Sequence, residues 1–246
     1  MRNSLLIMAC LVVGGAHAES TWLADLLAGY ARIETVSCDV RRDVSNQDGD
    51  IRWLSRVLFQ QPDRLHVENF SPLPRRIIAD GAVMYQHNEG HPRGFRRAIN
   101  DLDETMLLNL RRVPGTLMEH LLRLQQVDEI VLSREDDGSV LRAYKVDDVY
   151  VVIQADERDR LTEIRFYAGP DREQLTGSVI CTHFEEVLDG VWIAMRHQVE
   201  VTAVGVTTRE RVRFSNYEVN VDIPDRLFDA DLFFDGVRWV DRFDRL

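Results

Sequence analysis

The stretch IRWLSRVLFQQPDRLHVENFSPLPRRIIADGAVMYQH, residues 51–87, decides the fold. Side chains on a strand alternate between two faces, and large apolar residues alternate along this stretch while turn residues interrupt it. Gln61-Pro62-Asp63 is one interruption, and Asp80-Gly81 is a dipeptide suited to tight hairpins. The pattern predicts an antiparallel meander that needs a cover on one face. Its four strands are Ile51–Gln60, Arg64–Phe70, Arg75–Ala79 and Val83–His87.

The rest of the chain repeats the strand pattern around a helical middle. Apolar residues at helical spacing predict helices over Thr21–Ile33, from Asp101 or Asp103 to Arg112, and over Thr116–Gln126. Closely spaced strands with tight turns indicate one large antiparallel sheet or barrel of α+β class, with helices over its exposed face. The further predicted strands are Val36–Val44, Glu129–Arg134, Val140–Val146, Val149–Gln154, Leu161–Ala168, Gln174–Val187, Trp192–Thr202 and Thr207–Val219.

The first eighteen residues have the pattern of an export signal. Leu5–Val13 is apolar, and Ala16-His17-Ala18 places small residues where signal peptidase cleaves, so we expect cleavage after Ala18. The rival interpretation is a lipoprotein signal in which Cys10 is acylated. Either signal directs export, so we expect the mature protein outside the cytoplasm. Since no linker-like segment divides residues 19–246, we expect them to form a single domain.

The acidic balance of the chain limits its partners. The formal net charge is −11, and removal of Arg2 with the signal makes the mature chain more acidic by one charge. Such a surface disfavours nucleic acid and gives no electrostatic attraction toward anionic lipid head groups. We expect a monomer that does not bind nucleic acid.

Two cysteines, Cys38 and Cys181, remain after removal of the signal. In an oxidising compartment such a pair can form a disulfide. The alternative is two separate buried thiols, because free cysteine is often buried. The sequence leaves both alternatives open.

Histidines and carboxylates are present without a recognisable catalytic or metal-binding arrangement. His87, Glu89 and His91 form H-x-E-x-H, but the neighbouring Gly90 and Pro92 disfavour the helix that the metalloprotease pattern requires. We therefore expect a solvated turn, with neither a metal nor a cofactor.

No nucleophile motif is present either. His120 is expected at a rim, and His183 and His197 on a solvent-facing side of their strands. The carboxylate pairs lie beside turns, where solvation is their ordinary state, so no catalytic residue is assigned. We expect the protein not to be an enzyme.

A large sheet that curls has a concave face, and an apolar concave face under loosely packed helices forms a lipid-sized cavity. The first strand of the meander is apolar on both faces, with Trp53, Val57 and Phe59 on one and Leu54 and Leu58 on the other. A closed core without a cavity explains the same composition. The residues alone do not separate these two interpretations.

Three segments resemble the periplasmic lipoprotein-carrier family of LolA-like proteins. Residues 59–65, FQQPDRL, resemble the family's strand–proline–strand element, and residues 77–85, IIADGAVMY, resemble its hairpin. The stretch from Phe214 to Phe228 resembles its closing pattern. The resemblance implies an incomplete β-barrel closed by helices that holds acyl chains in its hollow. One departure is Gln61, where lipoprotein carriers usually have a basic residue.

The resemblance and the strand pattern together indicate a non-enzymatic periplasmic carrier or chaperone for lipid or acylated lipoprotein. The middle helices would act as a lid, and the implied partners are an inner-membrane donor and an outer-membrane acceptor. The alternative hypothesis is an envelope-stress sensor on the same fold. A third hypothesis is an enzyme that acts on lipid or an envelope polymer. The expected lining residues are Trp53, Val57, Phe59, Leu65, Val67, Tyr85, Met106, Leu107, Leu110, Leu117 and Leu121.

Overall fold

Two meanders lie side by side in one sheet of the computed structural model, which describes residues 21–169 and 174–242. The predicted export signal therefore lies outside the described residues, and so do both of its predicted processing sites, Ala18 and Cys10. The first meander consists of β1 (Thr35–Asn46), β2 (Gly49–Gln60), β3 (Arg64–Ser71), β4 (Arg75–Asp80), β5 (Val83–Asn88) and β6 (Arg93–Ala98). The second consists of β7 (Glu129–Arg134), β8 (Val140–Val146), β9 (Val149–Ala155), β10 (Leu161–Ala168), β11 (Gln174–Leu188), β12 (Val191–Ala203) and β13 (Val206–Val219).

Three helices and a short last strand complete the fold of the described residues. The helices are α1 (Thr21–Ala31), α2 (Glu104–Arg111) and α3 (Met118–Leu124), and β14 is Arg238–Val240. The strand order is β14-β6-β5-β4-β3-β2-β1-β13-β12-β11-β10-β9-β8-β7, and only β14 pairs in parallel. The predicted α+β class, with a large curled and unclosed antiparallel sheet covered by helices, is confirmed. None of the helices among the described residues is long and apolar enough to cross a membrane.

The topology explains why helices cover one face. β6 and β7 lie near opposite edges of the sheet, so the chain between them must cross a face, and α2 and α3 belong to this crossing. We call the face under the helices the inner face and the opposite one the outer face. Past β13 the chain runs over the outer face of the first meander and reaches the edge of β6 as β14, and we call residues 221–240 the C-terminal strap.

The inner face carries a large apolar core between the second meander, β1, β2, α1 and α3, which we call the main core. Trp22, Leu23, Leu27 and Tyr30 line up on α1 at helical spacing and are all buried. The members of the main core with 0 % exposure are Ile33, Val36, Phe59, Val113, Leu121, Ile153, Ala155 and Ile164.

Two elements of the sheet were not predicted, and a single contact explains both. β6 has the sequence RGFRRA, which lacks an apolar alternation, and β14 is only three residues long. A Cβ on Gly94 would lie 2.5 Å from Trp239 Cζ3, so β6 has glycine where the ring of β14 lies against it. Glycine within a strand marks such a close approach. No local pattern predicts β6, because the residue that requires Gly94 lies far along the chain.

Candidate ligand-binding site

The register of the first meander determines which side chains share the inner face. Val57 pairs with Val67 and Phe59 with Leu65, so these four predicted lining residues lie together, with Val57 and Phe59 buried in the main core and Leu65 and Val67 half-buried against it. Leu65 in turn pairs with Ala79 of β4. Trp53 lies further along the same face of β2, since it differs from Val57 by an even number of residues.

Tyr85 does not lie with the other predicted lining residues. It pairs with Ile78, while Met84 pairs with Ala79, so the inner face of β5 presents Met84 and the outer face presents Tyr85. Tyr85 packs against Trp239 of the C-terminal strap, with ring centroids 5.3 Å apart. Tyr85 therefore does not line the inner face, and its predicted role as a lining residue is wrong. The Asp80-Gly81 turn pairs odd-numbered residues of β4 with even-numbered residues of β5, so the odd-numbered residues of β5 face outward.

Helix α2 covers the inner face of β3 to β5 with few fixed contacts. Leu110 is its only side chain that is buried, while Met106 and Leu107 are half-buried. We call the group under this helix the α2 cluster. It consists of the buried Ala79, Ile99, Leu102 and Leu110 and the half-buried Leu65, Met84, Met106 and Leu107.

Helix α3 belongs to the main core rather than to a loose cover. Leu121 is 0 % exposed, and the predicted lining residue Leu117 and its neighbour Leu124 are also buried there. The structure therefore divides the predicted lid into two parts. α3 fills the inner face of the second meander, and α2 lies over that of the first.

The segment between α2 and α3 is fixed to the sheet. A Cβ on Gly115, whose φ is +83°, would lie 2.9 Å from Ile193 Cγ2, so the linker approaches β12 closely. The Tyr217 hydroxyl donates to the Pro114 carbonyl oxygen, and the Thr116 hydroxyl donates to the Val113 carbonyl oxygen at 2.7 Å. The linker between α2 and α3 is thus anchored to β12 and β13.

The two ends of α2 are held by polar groups at the surface. The Asp103 carboxylate accepts from the Met106 backbone N–H at 2.8 Å, which caps the first turn. Arg111 in the last turn donates to Asp63 through two hydrogen bonds of 2.6 and 3.1 Å. Asp63 lies in the turn between β2 and β3, so this ion pair holds α2 against the sheet.

Gln61, the departure from the carrier pattern, has a partner inside the fold. Its side-chain Nε2 donates to the Ile33 carbonyl oxygen at 2.7 Å, just after α1 ends. Its backbone N–H donates to the Glu34 carbonyl oxygen at 2.9 Å. Gln61 thus satisfies carbonyl groups where α1 leads into β1.

The inner face becomes polar beyond the apolar strip. Arg75 lies over the Trp53 ring, 5.6 Å from its centroid, and burial followed by the charge of Arg42 lowers the pKa of Arg75. Arg42 itself donates to Glu210 at 2.6 Å. An apolar strip with a charged rim suits a ligand with an acyl chain and a polar head.

His197 lies on the inner face and is buried, so its expected solvent-facing position is wrong. It pairs with Cys181 across β11 and β12 and contacts Phe214, with ring centroids 5.5 Å apart. Burial, followed by the charge of Arg112, lowers the pKa of His197 to about 4. The imidazole is therefore neutral near pH 7.

Charged residues of the helical segment surround this imidazole. Arg112 donates to Glu119 at 2.6 Å, which links the end of α2 to α3. His120 contacts Phe166, with ring centroids 5.2 Å apart, and burial lowers its pKa as well. His183 is exposed, as expected.

Cys38 and Cys181 are free thiols, and both are buried in the main core. β13 and β12 lie between their strands, so the two residues are separated by roughly 14 Å at the usual strand spacing. This exceeds the ~4.4–6.8 Å between Cα atoms that a disulfide requires. Of the two alternatives, the structure has the separate buried thiols.

The described residues contain no group of three histidine, cysteine, aspartate or glutamate side chains placed to hold a metal ion. In the H-x-E-x-H segment, His87 Nε2 lies 2.7 Å from the His91 carbonyl oxygen. This contact belongs to the turn between β5 and β6.

The sequence matches no protein-family model and no curated protein. Solved structures do match the fold. A LolA superfamily protein of Nitrosomonas europaea superposes with a TM-score of 0.57 at 15 % identity, covering 86 % of this chain and 99 % of that one. A putative outer membrane lipoprotein-sorting protein domain of Vibrio parahaemolyticus gives 0.55 at 12 %, covering 85 % and 97 %.

A DUF1329 family protein of Desulfovibrio piger gives a TM-score of 0.58 at 10 % identity, covering 88 % of this chain and 99 % of that one. These likenesses extend over most of the chain. The predicted resemblance to LolA-like proteins is confirmed for the fold, and the low identities mark a divergent sequence.

Proposed function

We propose that this chain, which has the LolA-like fold, is a periplasmic carrier or chaperone that binds acyl chains of lipid or lipoprotein under α2. The observation that carries the proposal is the contrast between an apolar inner face on β3 to β5 and its thin cover. α2 has a single fully buried side chain, Leu110. An eight-residue helix has little stability of its own, so such a cover opens at low cost.

In this proposal, α2 swings outward about the anchored linker at Pro114-Gly115 after the Arg111–Asp63 ion pair opens. The acyl chain then replaces Met106 and Leu107 against Leu65, and its polar head lies toward Arg75. Burial of each methylene contributes about 0.8 kcal/mol to loading. Release then requires an acceptor that offsets this gain, so we propose an inner-membrane donor and an outer-membrane acceptor as partners.

The remaining elements of the proposal concern processing and organisation. Export with cleavage near Ala18 would deliver residues 19–246 to the periplasm as one domain. The apolar face and the LolA-like fold support a binding protein, and no residue is assigned a catalytic role.

A fluorescent fatty acid tests the proposal. We expect NBD-labelled stearate to bind the purified protein and Val67→Glu to weaken binding at least about tenfold, because the new carboxylate would lie on the acyl-binding face. Leu58→Glu is the matched control, since Leu58 is half-buried on the outer face of the same hairpin and pairs with His66. Absence of binding to the wild-type protein, or equal affinity in both variants, would refute the proposal.

A further inference from the structure

The outer face of the long central strands carries a concentration of arginine that the acyl-binding proposal does not use. Arg209, Arg211 and Arg213 alternate along β13, so all three point to one face. Their cross-strand partners place further charged residues on the same face. We call this surface the arginine face. Its charged members on β1, β2, β12 and β13 are Asp39, Arg41, Asp43, Asp50, Arg52, Arg56, Arg196, Glu200, Arg209, Arg211, Arg213 and Glu218.

The net charge of the arginine face is positive, whereas the net charge of the whole protein is negative. Seven arginines accompany five carboxylates there, although the chain as a whole has a net charge of −11. The arginine face is thus a local excess of positive charge on an acidic molecule. A positively charged surface attracts a partner with a negatively charged surface, which raises the association rate and orients the partner.

Four of the seven arginines have carboxylate partners. Arg41 and Arg52 both pair with Asp43, at 2.9 and 2.7 Å. The other two pairs are Arg56 with Asp39 at 3.2 Å and Arg209 with Glu200 at 2.8 Å.

The remaining three arginines are exposed and make no ion pair with any of the described residues. They are Arg196, Arg211 and Arg213. Arg196 lies directly opposite Arg213, and Arg213 lies directly opposite Arg41, so three guanidinium-bearing residues form a row across β12, β13 and β1. Like charges directly opposite each other on neighbouring strands are destabilising. A bound anionic group would relieve this repulsion.

The shape of the surface favours a chain segment over a flat partner. A cleft of about 710 Å³ crosses the arginine face, with Arg41 and Arg211 in its lining beside the exposed apolar Ile180. Carboxylates share this lining, Glu200 among them, and would repel a uniformly anionic bilayer. A polypeptide can place its own carboxylates between them. The cleft spans five strands, and its width equals the length of roughly six to eight residues of an extended peptide.

We propose that the arginine face binds an extended acidic segment of a partner protein. Carboxylates of the segment would pair with Arg211 and with the Arg196–Arg213 row, and apolar side chains would lie on Ile180. Charge-assisted arginine–carboxylate hydrogen bonds supply both attraction and register. The acyl-binding proposal concerns the opposite face, so either proposal can fail alone.

Fluorescence anisotropy with a labelled peptide of roughly eight alternating glutamate and threonine residues tests this proposal, the length following the width of the cleft. We expect binding at low salt that weakens steeply when ionic strength rises to about 0.3 M, because exposed charges are screened. The triple variant Arg196→Gln, Arg211→Gln, Arg213→Gln should lose at least about tenfold in affinity. It should also be no less stable than the wild type, since the like-charge contacts are removed.

The matched control is Arg134→Gln, Arg158→Gln, Arg226→Gln, three exposed arginines away from the arginine face. It should bind the acidic peptide as the wild type does, and a glutamine–threonine peptide should bind neither protein. Equal affinity in the two triple variants would overturn the proposal, as would no binding of the acidic peptide to the wild type. Binding only to phosphatidylglycerol vesicles would overturn it in favour of a membrane surface.

Discussion

The main core and the α2 cluster cover two parts of one inner face in opposite ways. Four side chains of α1 and two of α3 are fully buried in the main core, whereas α2 contributes Leu110 alone to its cluster. The C-terminal strap reinforces the outer face of β3 to β6, so the sheet itself is held beneath α2. The difference teaches that the fold buries α1 and α3 deeply and holds α2 with far less buried surface over the first meander, which is why we propose α2 as the part that moves.

The largest expected effect is on the stability of the main core. Leu121→Ala removes a side chain with 0 % exposure, and we expect a loss of about 3 kcal/mol in the free energy of unfolding. The matched variant Leu110→Ala should lose below about 1 kcal/mol, because detachment of α2 limits the cost of its cavity. Urea denaturation measures both. Equal losses would show that α2 is as firmly packed as α3.

The second expected effect is a pH dependence that arises in the main core. The pKa of His197 is about 4 when folded and about 6.5 when unfolded, so the unfolded chain binds more protons between these values. The contribution of neutral His197 is therefore present above pH 6.5 and is lost as pH falls toward 4. Between pH 7 and pH 5 the wild type should lose about 2 kcal/mol more than His197→Gln.

Denaturation at the two pH values measures this difference. His66 and His120 also have pKa values lowered mainly by burial, and they remain in both proteins, so the comparison isolates His197. An identical loss in the wild type and in His197→Gln would contradict the buried, neutral state.

The smallest expected effect concerns the ion pair that holds α2. Arg111→Gln removes the contact with Asp63, and an ion pair with a half-exposed arginine contributes about 0.5 kcal/mol. We expect faster association of NBD-labelled stearate in stopped-flow mixing, because the closed position of α2 is less favoured. Arg123→Gln on α3 is the control, since Arg123 is exposed on a helix that the proposal does not move. An unchanged association rate in Arg111→Gln would show that this ion pair does not limit opening.

Much of the fold could be predicted because its signals are local. Alternation from Ile51 to Gln60 and the Asp80-Gly81 hairpin predict strands without reference to the rest of the chain. β14 and the glycine of β6 could not be predicted, since Gly94 is required only by Trp239, which lies far away in sequence.

The candidate site was less predictable because it depends on register and on long-range packing. Val57, Phe59, Leu65 and Val67 follow directly from alternation within one hairpin. Tyr85 was assigned to the wrong face because the Asp80-Gly81 hairpin places the even-numbered residues of β5, and not the odd-numbered ones, on the inner face. His197 lies beneath the crossing segment after α2, and no local pattern in β12 indicates that it is covered.

Hydrogen exchange measured by mass spectrometry tests the central claim, that α2 opens over a main core that stays closed. The account predicts that amides of residues 104–111 exchange well before those of 118–124. It also predicts that NBD-labelled stearate changes protection in α2 and in β3 to β5 while α1 and α3 are unaffected. Exchange of α2 and α3 as one unit, or a ligand effect confined to α1 and α3, would contradict the account.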